Sequence, residues 1–236
     1  MPLATVNGRT IFFAHVPKTG GSSVEDYMIR RFGKLSIREC RDDNSRKRDI
    51  IQSVSHMSAA DLTTLLPPNL DYAFAIVRDP LNRLKSEYGF QSGISRASRL
   101  GFSTWLKVVL GAASQDPRIY ENHIRPQIDL LPEGAEVFKL EDGLDNIIPR
   151  LDEISGTVFP ESTVGHLLKR TSSPIKVTKQ DVEATIKFYA ADYEHFDYPL
   201  PDPQSFPNDP LNGLRSIIAA PLSRAVVSRH RSNWLV

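Results

Sequence analysis

Three short apolar runs have the pattern of buried strands, and each leads into a helical pattern. Residues 9–16, RTIFFAHV, are rich in β-branched and aromatic side chains and predict a first strand. It stops at Pro17 and enters the turn Lys18-Thr19-Gly20-Gly21-Ser22-Ser23. Beyond the turn, Val24, Tyr27, Met28, Arg31 and Phe32 recur at helical spacing. All but Arg31 are apolar, which predicts a helix starting near Ser22 with one buried face. YAFAIV at 72–77 predicts a second strand. After it, Asp79 suits the N-cap and Pro80 the first turn of a helix that buries Leu81, Leu84 and Tyr88. EVFKL at 136–140 predicts a third strand, followed by a helix with Leu144, Ile147, Leu151 and Ile154 on one face and a kink at Pro149. Thr178 and Asp181 mark another helix start, with Val182, Ile186, Tyr189, Tyr193 and Phe196 as its apolar face. The proline-rich tail after Tyr198 reads as a segment draped over the domain. This alternation predicts an α/β fold, with a central, mainly parallel sheet flanked by helices and ligands at the C-terminal strand ends.

Composition narrows the class. With 236 residues, 40% hydrophobic and 24% charged, the chain reads as one soluble domain over 1–236, with a core at about 9–198 and a tail at 199–236. Cys40 is the only cysteine, which excludes an intramolecular disulfide and a multi-cysteine zinc site, so no metal is expected. A formal net charge of +1 leaves no basic excess for general nucleic-acid binding. No uncharged apolar run reaches the roughly 18 residues that span a bilayer. The N-terminus also lacks the layout of a secretory signal, so a cytoplasmic setting without membrane contact is expected. Residues 38–49 crowd both charge signs and read as an exposed loop or as a rim that meets an anionic acceptor.

Two segments carry chemistry. In PKTGGSS, residues 17–23, Gly20 and Gly21 permit positive φ and close backbone approach, so successive N–H groups can converge on an anion. The following helix points its positive dipole end at the same place, Lys18 adds a point charge, and the hydroxyls of Thr19, Ser22 and Ser23 add donors. A phosphate or sulfate suits this arrangement; an unliganded Gly-rich turn is the plainer reading. The loop departs from a nucleotide triphosphatase, whose lysine follows the last glycine, and no acidic residue at a strand end takes the magnesium-holding role. In AIVRDPLNRLKSEY, residues 75–88, Arg78 at a strand end and Ser86 on the next helix can clamp a further phosphate, with Arg83 between them. Read alone, Arg-Asp-Pro is equally a strand exit with a helix cap.

Together these segments resemble the sulfotransferases. PKTGGSS is similar to their 5′-phosphosulfate loop, and VRDPLNRLKSEY to their 3′-phosphate motif, whose Arg and Ser fall at Arg78 and Ser86. NHIRPQ at 122–127, the EVFKLED strand and YAADYEHFDY at 189–198 are similar to the carbohydrate-type branch. The late Gly-rich, Lys-containing segment of the cytosolic small-molecule branch is missing. So are the membrane anchor and paired cysteines of Golgi enzymes, so the chain looks like a soluble, bacterial-type member.

The resemblance implies a P-loop-like three-layer fold. It also implies transfer of a sulfuryl group from 3′-phosphoadenosine 5′-phosphosulfate (PAPS) to an acceptor hydroxyl of a carbohydrate or small molecule, leaving 3′,5′-adenosine bisphosphate. It assigns Lys18 to the departing phosphate charge. It gives the donor contacts to Lys18, Thr19, Gly20, Gly21, Ser22, Ser23, Arg78 and Ser86. His56, preceded by Ser55 where the branch has glycine, falls at the place of the catalytic base. His123 is the second candidate, or positions the acceptor with Gln127. His15 is read as strand packing, while His166, His195 and His230 stand in no motif. Acceptor contacts are expected from loops 34–56, 90–104 and 112–125. A P-loop nucleotide kinase, which needs magnesium and ATP, and a non-catalytic module that binds a nucleotide or sulfated ligand are the competing readings.

Overall fold

The computed structural model describes residues 1–36, 56–67, 70–94, 100–165 and 174–232. The charged segment 38–49 and His166 lie outside them. In chain order the elements are β1 (Leu3–Val6), β2 (Arg9–Ala14), α1 (Gly21–Phe32), α2 (Ala59–Leu65), β3 (Tyr72–Val77) and α3 (Pro80–Ile94). There follow α4 (Phe102–Ala113), β4 (Glu136–Lys139), α5 (Ile147–Ser155), α6 (Lys179–Phe188), α7 (Ala190–His195) and α8 (Asn212–Ser232). The chain forms two compact units, Met1–Arg78 with Asp129–Arg170, and Asp79–Ile128 with Thr171–Val236.

The first unit is a sheet in the order β1-β2-β3-β4. β1 runs antiparallel to β2, whereas β2–β3 and β3–β4 are parallel. Successive residues of a strand point to opposite faces, and here both faces are covered. Ile11, Phe13, Phe74 and Ile76 pack against Val24, Tyr27 and Met28 of α1 and Ile147 and Leu151 of α5. Phe12, Ala14 and Ala75 pack on the other side with Leu62 of α2 and Leu130. Double coverage is why β2 and β3 read as near-continuous apolar runs rather than alternating ones. β1 was not anticipated. It pairs back through Asn7 and Gly8, whose φ of 48° and 76° make the left-handed two-residue turn that hairpins favour. Pro149 introduces no kink. A 3₁₀ turn at Leu144–Asn146 precedes α5, and Pro149 sits in the first turn of that helix, where no backbone N–H is required.

The second unit is helical. Asp79 caps α3, its Oδ1 accepting the N–H of Asn82 at 2.8 Å. Thr178 and Asp181 form a reciprocal capping box on α6. α4 is buried on nearly all sides, so it shows no amphipathic stripe in the sequence. The expected proline-rich drape is instead the long helix α8 from Asn212 onward, with Pro221 in its exposed interior. Ala219, Ser223 and Val227 form its buried face, and the Ser223 hydroxyl bonds the carbonyl of Val108 in α4 at 2.9 Å. Gly111 permits that approach, because a Cβ there would stand 2.8 Å from Ser223 Oγ. Among the described residues no helix is long and apolar enough to cross a membrane.

Candidate active site

In the first unit, β2 and β3 are parallel neighbours in register at Ala14 and Ala75, so the segments leaving both strands emerge at one edge of the sheet. The Lys18–Gly21 turn leaves from β2. Lys18 and Gly20 are left-handed, with φ of 69° and 87°. Gly20 is the N-cap of α1, no side chain caps that helix, and its first turn holds no acidic residue. The positive end of the helix therefore faces the loop without a built-in carboxylate. Arg78 follows β3, and its Nη1 donates to the carbonyl of Lys18 at 3.3 Å.

The two glycines have different causes. Gly20 needs its positive φ, and a Cβ there would also press to 3.3 Å on Leu140 and Leu144. At Gly21 the reason is a neighbour: a Cβ would lie 2.0 Å from His15 Nε2. Thr19 is fully buried, and its hydroxyl donates to the carbonyl of Val16 at 2.9 Å, closing the loop on itself. Its hydroxyl is thus a brace rather than the ligand donor expected from the sequence. The N–H of Ser23 returns to the Gly20 carbonyl at 2.9 Å, and Ser22 is half-buried.

His15 does more than pack a strand. Its Nδ1 lies 2.6 Å from Glu25 Oε1, its ring lies beneath Gly21, and its carbonyl lies 3.1 Å from His56 Nδ1. A carbonyl can only accept, so Nδ1 of His56 carries a proton, and the tautomer this bond selects has its lone pair at Nε2. The two imidazoles meet edge to face with centroids 4.8 Å apart. No local motif announces His15; the only sequence signal is the second glycine it requires.

In the second unit, Ser86 is half-buried on α3. Arg83 is almost completely buried, and its guanidinium donates to the carbonyls of His123 and Arg125, each at 2.9 Å. Those bonds hold the end of a strained segment: Tyr120, Glu121 and Asn122 are consecutive left-handed residues with φ of 50°, 55° and 66°. Left-handed backbone at a non-glycine costs about 1–3 kcal/mol per residue. A chain of bonds then orients the His123 ring. The Trp105 indole, a donor only, gives its proton to Gln91 Oε1 at 2.9 Å, which leaves Gln91 Nε2 to donate to Glu87 Oε1 at 2.7 Å. Glu87 Oε2 accepts from His123 Nδ1 at 2.8 Å.

Gln127 is fully buried. Its backbone N–H and its side-chain amide both donate to Asp192 Oδ2, at 2.9 and 3.3 Å, while Ile128 N–H reaches Oδ1. It pins the segment after His123 to α7, which leaves an acceptor no access to it. Burial pushes the Asp192 carboxyl up against the opposing pull of these bonds.

The family model described as the sulfotransferase family matches residues 4–199. No curated protein and no solved structure matches. The matched stretch runs from within β1 to just past α7 and takes in every candidate site residue described in this subsection, which makes this chain a member of the sulfotransferase family.

Proposed function

We propose that this protein transfers a sulfuryl group from PAPS to a hydroxyl of a carbohydrate or small-molecule acceptor. One observation carries the reading: the loop from Lys18 to Gly21 opens onto a helix end with no capping side chain and no acid, next to the guanidinium of Arg78. Those residues fit an anionic donor, since Lys18 and Arg78 are cationic, the first turn of α1 holds no acid and no side chain occupies its N-terminal end. PAPS, when bound, supplies the sulfuryl group. Lys18 and the backbone N–H groups of Thr19 to Ser22 would hold its phosphosulfate end, and the resemblance gives the 3′-phosphate to Arg78 and Ser86.

Lys18 stabilises the negative charge that collects on the departing oxygen as its bond to sulfur breaks in line with the incoming hydroxyl. Loop N–H groups do the same for the sulfuryl oxygens, each such donor contributing about 100- to 1000-fold in rate. His56 takes the proton of the attacking hydroxyl at Nε2, a step worth roughly 100- to 10,000-fold. His123, oriented by Glu87, is the second group suited to that proton.

Calorimetric titration with 3′,5′-adenosine bisphosphate tests the donor site, with magnesium and ATP run beside it. The expected result is metal-independent bisphosphate binding that is lost in Arg78→Ala and weakened in Lys18→Ala. Preference for magnesium and ATP, or no binding of either nucleotide, would overturn the reading.

A further inference from the structure

The C-terminal helix α8 lies beyond the family match, yet it carries a charge pattern of its own. Over Asn212–Ser232 it holds four arginines and a histidine and not one carboxylate. Arg215 is engaged by Asp209. Arg229, His230 and Arg231 sit in the last turn, where cations offset the helix dipole. Arg224 stands well before that turn, outside the reach of this effect. Among the described residues neither Arg224 nor Arg229 has an ion pair, and both are exposed.

The buried contact of Ser223 and Val227 with α4 fixes the rotation of the helix. It turns Arg224, Val227, Ser228, Arg231 and Ser232 into one open, shallow cleft of about 410 Å³, bordered by Gln115 just after α4. Arg224 and Arg231 are seven residues apart, about 10 Å along the axis, with a serine one turn after Arg224 and another beside Arg231. Apart from Val227 the lining side chains are polar, and none is acidic or aromatic. Ser232 gives its O–H to the Ser228 carbonyl and Gln115 an N–H to the Gly111 carbonyl, so the donors are chiefly the two guanidinium groups and the Ser228 hydroxyl. The nearby carboxylate, Asp116, is already held by Arg118 at 3.1 and 3.2 Å and reaches Arg231 only at 3.5 Å.

We propose that this cleft binds the sulfate esters of an anionic carbohydrate chain. Two guanidinium forks with the Ser228 hydroxyl between them match tetrahedral oxyanions, and their spacing suits successive anionic groups on one strand rather than a lone ion. The absence of an aromatic platform in the cleft argues against single-stranded nucleic acid, which is gripped by base stacking. Resting on the transferase reading, the ligand is a chain that already carries the sulfate groups this reaction installs.

The test is fluorescence anisotropy of labelled dextran sulfate with the full chain, competed by unsulfated dextran, polyphosphate, single-stranded DNA and inorganic sulfate. Dextran sulfate binding is expected to weaken about tenfold in Arg224→Ala and again in Arg231→Ala, with Lys187→Ala as the charge control. Affinity for 3′,5′-adenosine bisphosphate should be unchanged in both arginine variants. Dextran sulfate binding indifferent to both substitutions, or matched by polyphosphate or DNA, overturns the proposal. So does competition only by inorganic sulfate. If wild type fails to bind the bisphosphate but dextran sulfate still depends on Arg224, the cleft stands and the transferase reading falls.

Discussion

The carbonyl of His15 accepts a hydrogen bond from Nδ1 of His56 at 3.1 Å, while the side chain of the same His15 lies beneath Gly21. One residue thus supports the anion loop with its ring and sets the tautomer of the candidate base with its backbone. A substitution at His15 should therefore disturb donor binding through the ring and remove the edge-to-face contact with His56, while the His56 hydrogen bond, which needs only the main-chain carbonyl, stays in place.

Gly21→Ala should lower sulfuryl transfer by about 100-fold or more, because a Cβ 2.0 Å from His15 Nε2 forces the loop to move. Adding His15→Ala removes the obstruction. The double variant should recover bisphosphate affinity over Gly21→Ala alone, read by calorimetry. No recovery would mean that the glycine serves something other than this contact.

Lys18 separates charge from backbone. Lys18→Ala and Lys18→Gly should both lose about 100- to 1000-fold in rate. Their stabilities should differ, since the left-handed φ of 69° suits glycine and strains alanine by about 1 kcal/mol. Thermal melts of the two variants measure that difference, with Lys18→Gly the more stable.

Glu87→Gln replaces an acceptor on both sides with an amide that must turn its NH₂ toward Gln91 Nε2 or His123 Nδ1. Turned to Gln91 it sets donor against donor inside the protein, at a cost of about 1–3 kcal/mol, and turned to His123 it does the same unless the ring moves its proton from Nδ1 to Nε2. The melting temperature should fall. Nitrogen-15 shifts of His123 should report a change of tautomer, which a purely structural loss elsewhere in α3 would not produce.

Asp116 governs part of the acid limb. Burial alone would raise its carboxyl, but the bonds and charge of Arg118, helped by Arg231, bring it down to about 2. A carboxylate held below its unfolded value of about 3.9 adds stability above that pH and loses it as pH falls toward the folded value. Wild type should therefore lose stability between about pH 4 and 2 more steeply than Asp116→Asn. Parallel melts over that range check the slope.

Local signals gave what local physics controls. The apolar run at Tyr72–Val77, the Asp79 cap, the Thr178–Asp181 box and the glycine loop all act within a few residues, and each formed where its pattern lies. β1 had a readable Asn7-Gly8 turn but was too short to show as an apolar run. α4 was hidden because helical periodicity appears only when one face meets water, and α4 is buried nearly all round. α8 was obscured by the prolines before it and by Pro221, although a proline is tolerated where the freed carbonyl faces solvent.

By itself, the sequence determined the alternation of strands and helices, the anion loop and the family, because these rest on residue order and short-range geometry. Tertiary structure alone decided that His15 lies beneath Gly21, that Glu87 orients His123, and that Gln127 is enclosed by Asp192 rather than offered to an acceptor. Each of these joins side chains whose separation along the chain says nothing about distance. Only the packed core brings such groups within hydrogen-bond reach, and only burial makes leaving them unpaired costly enough to fix their roles.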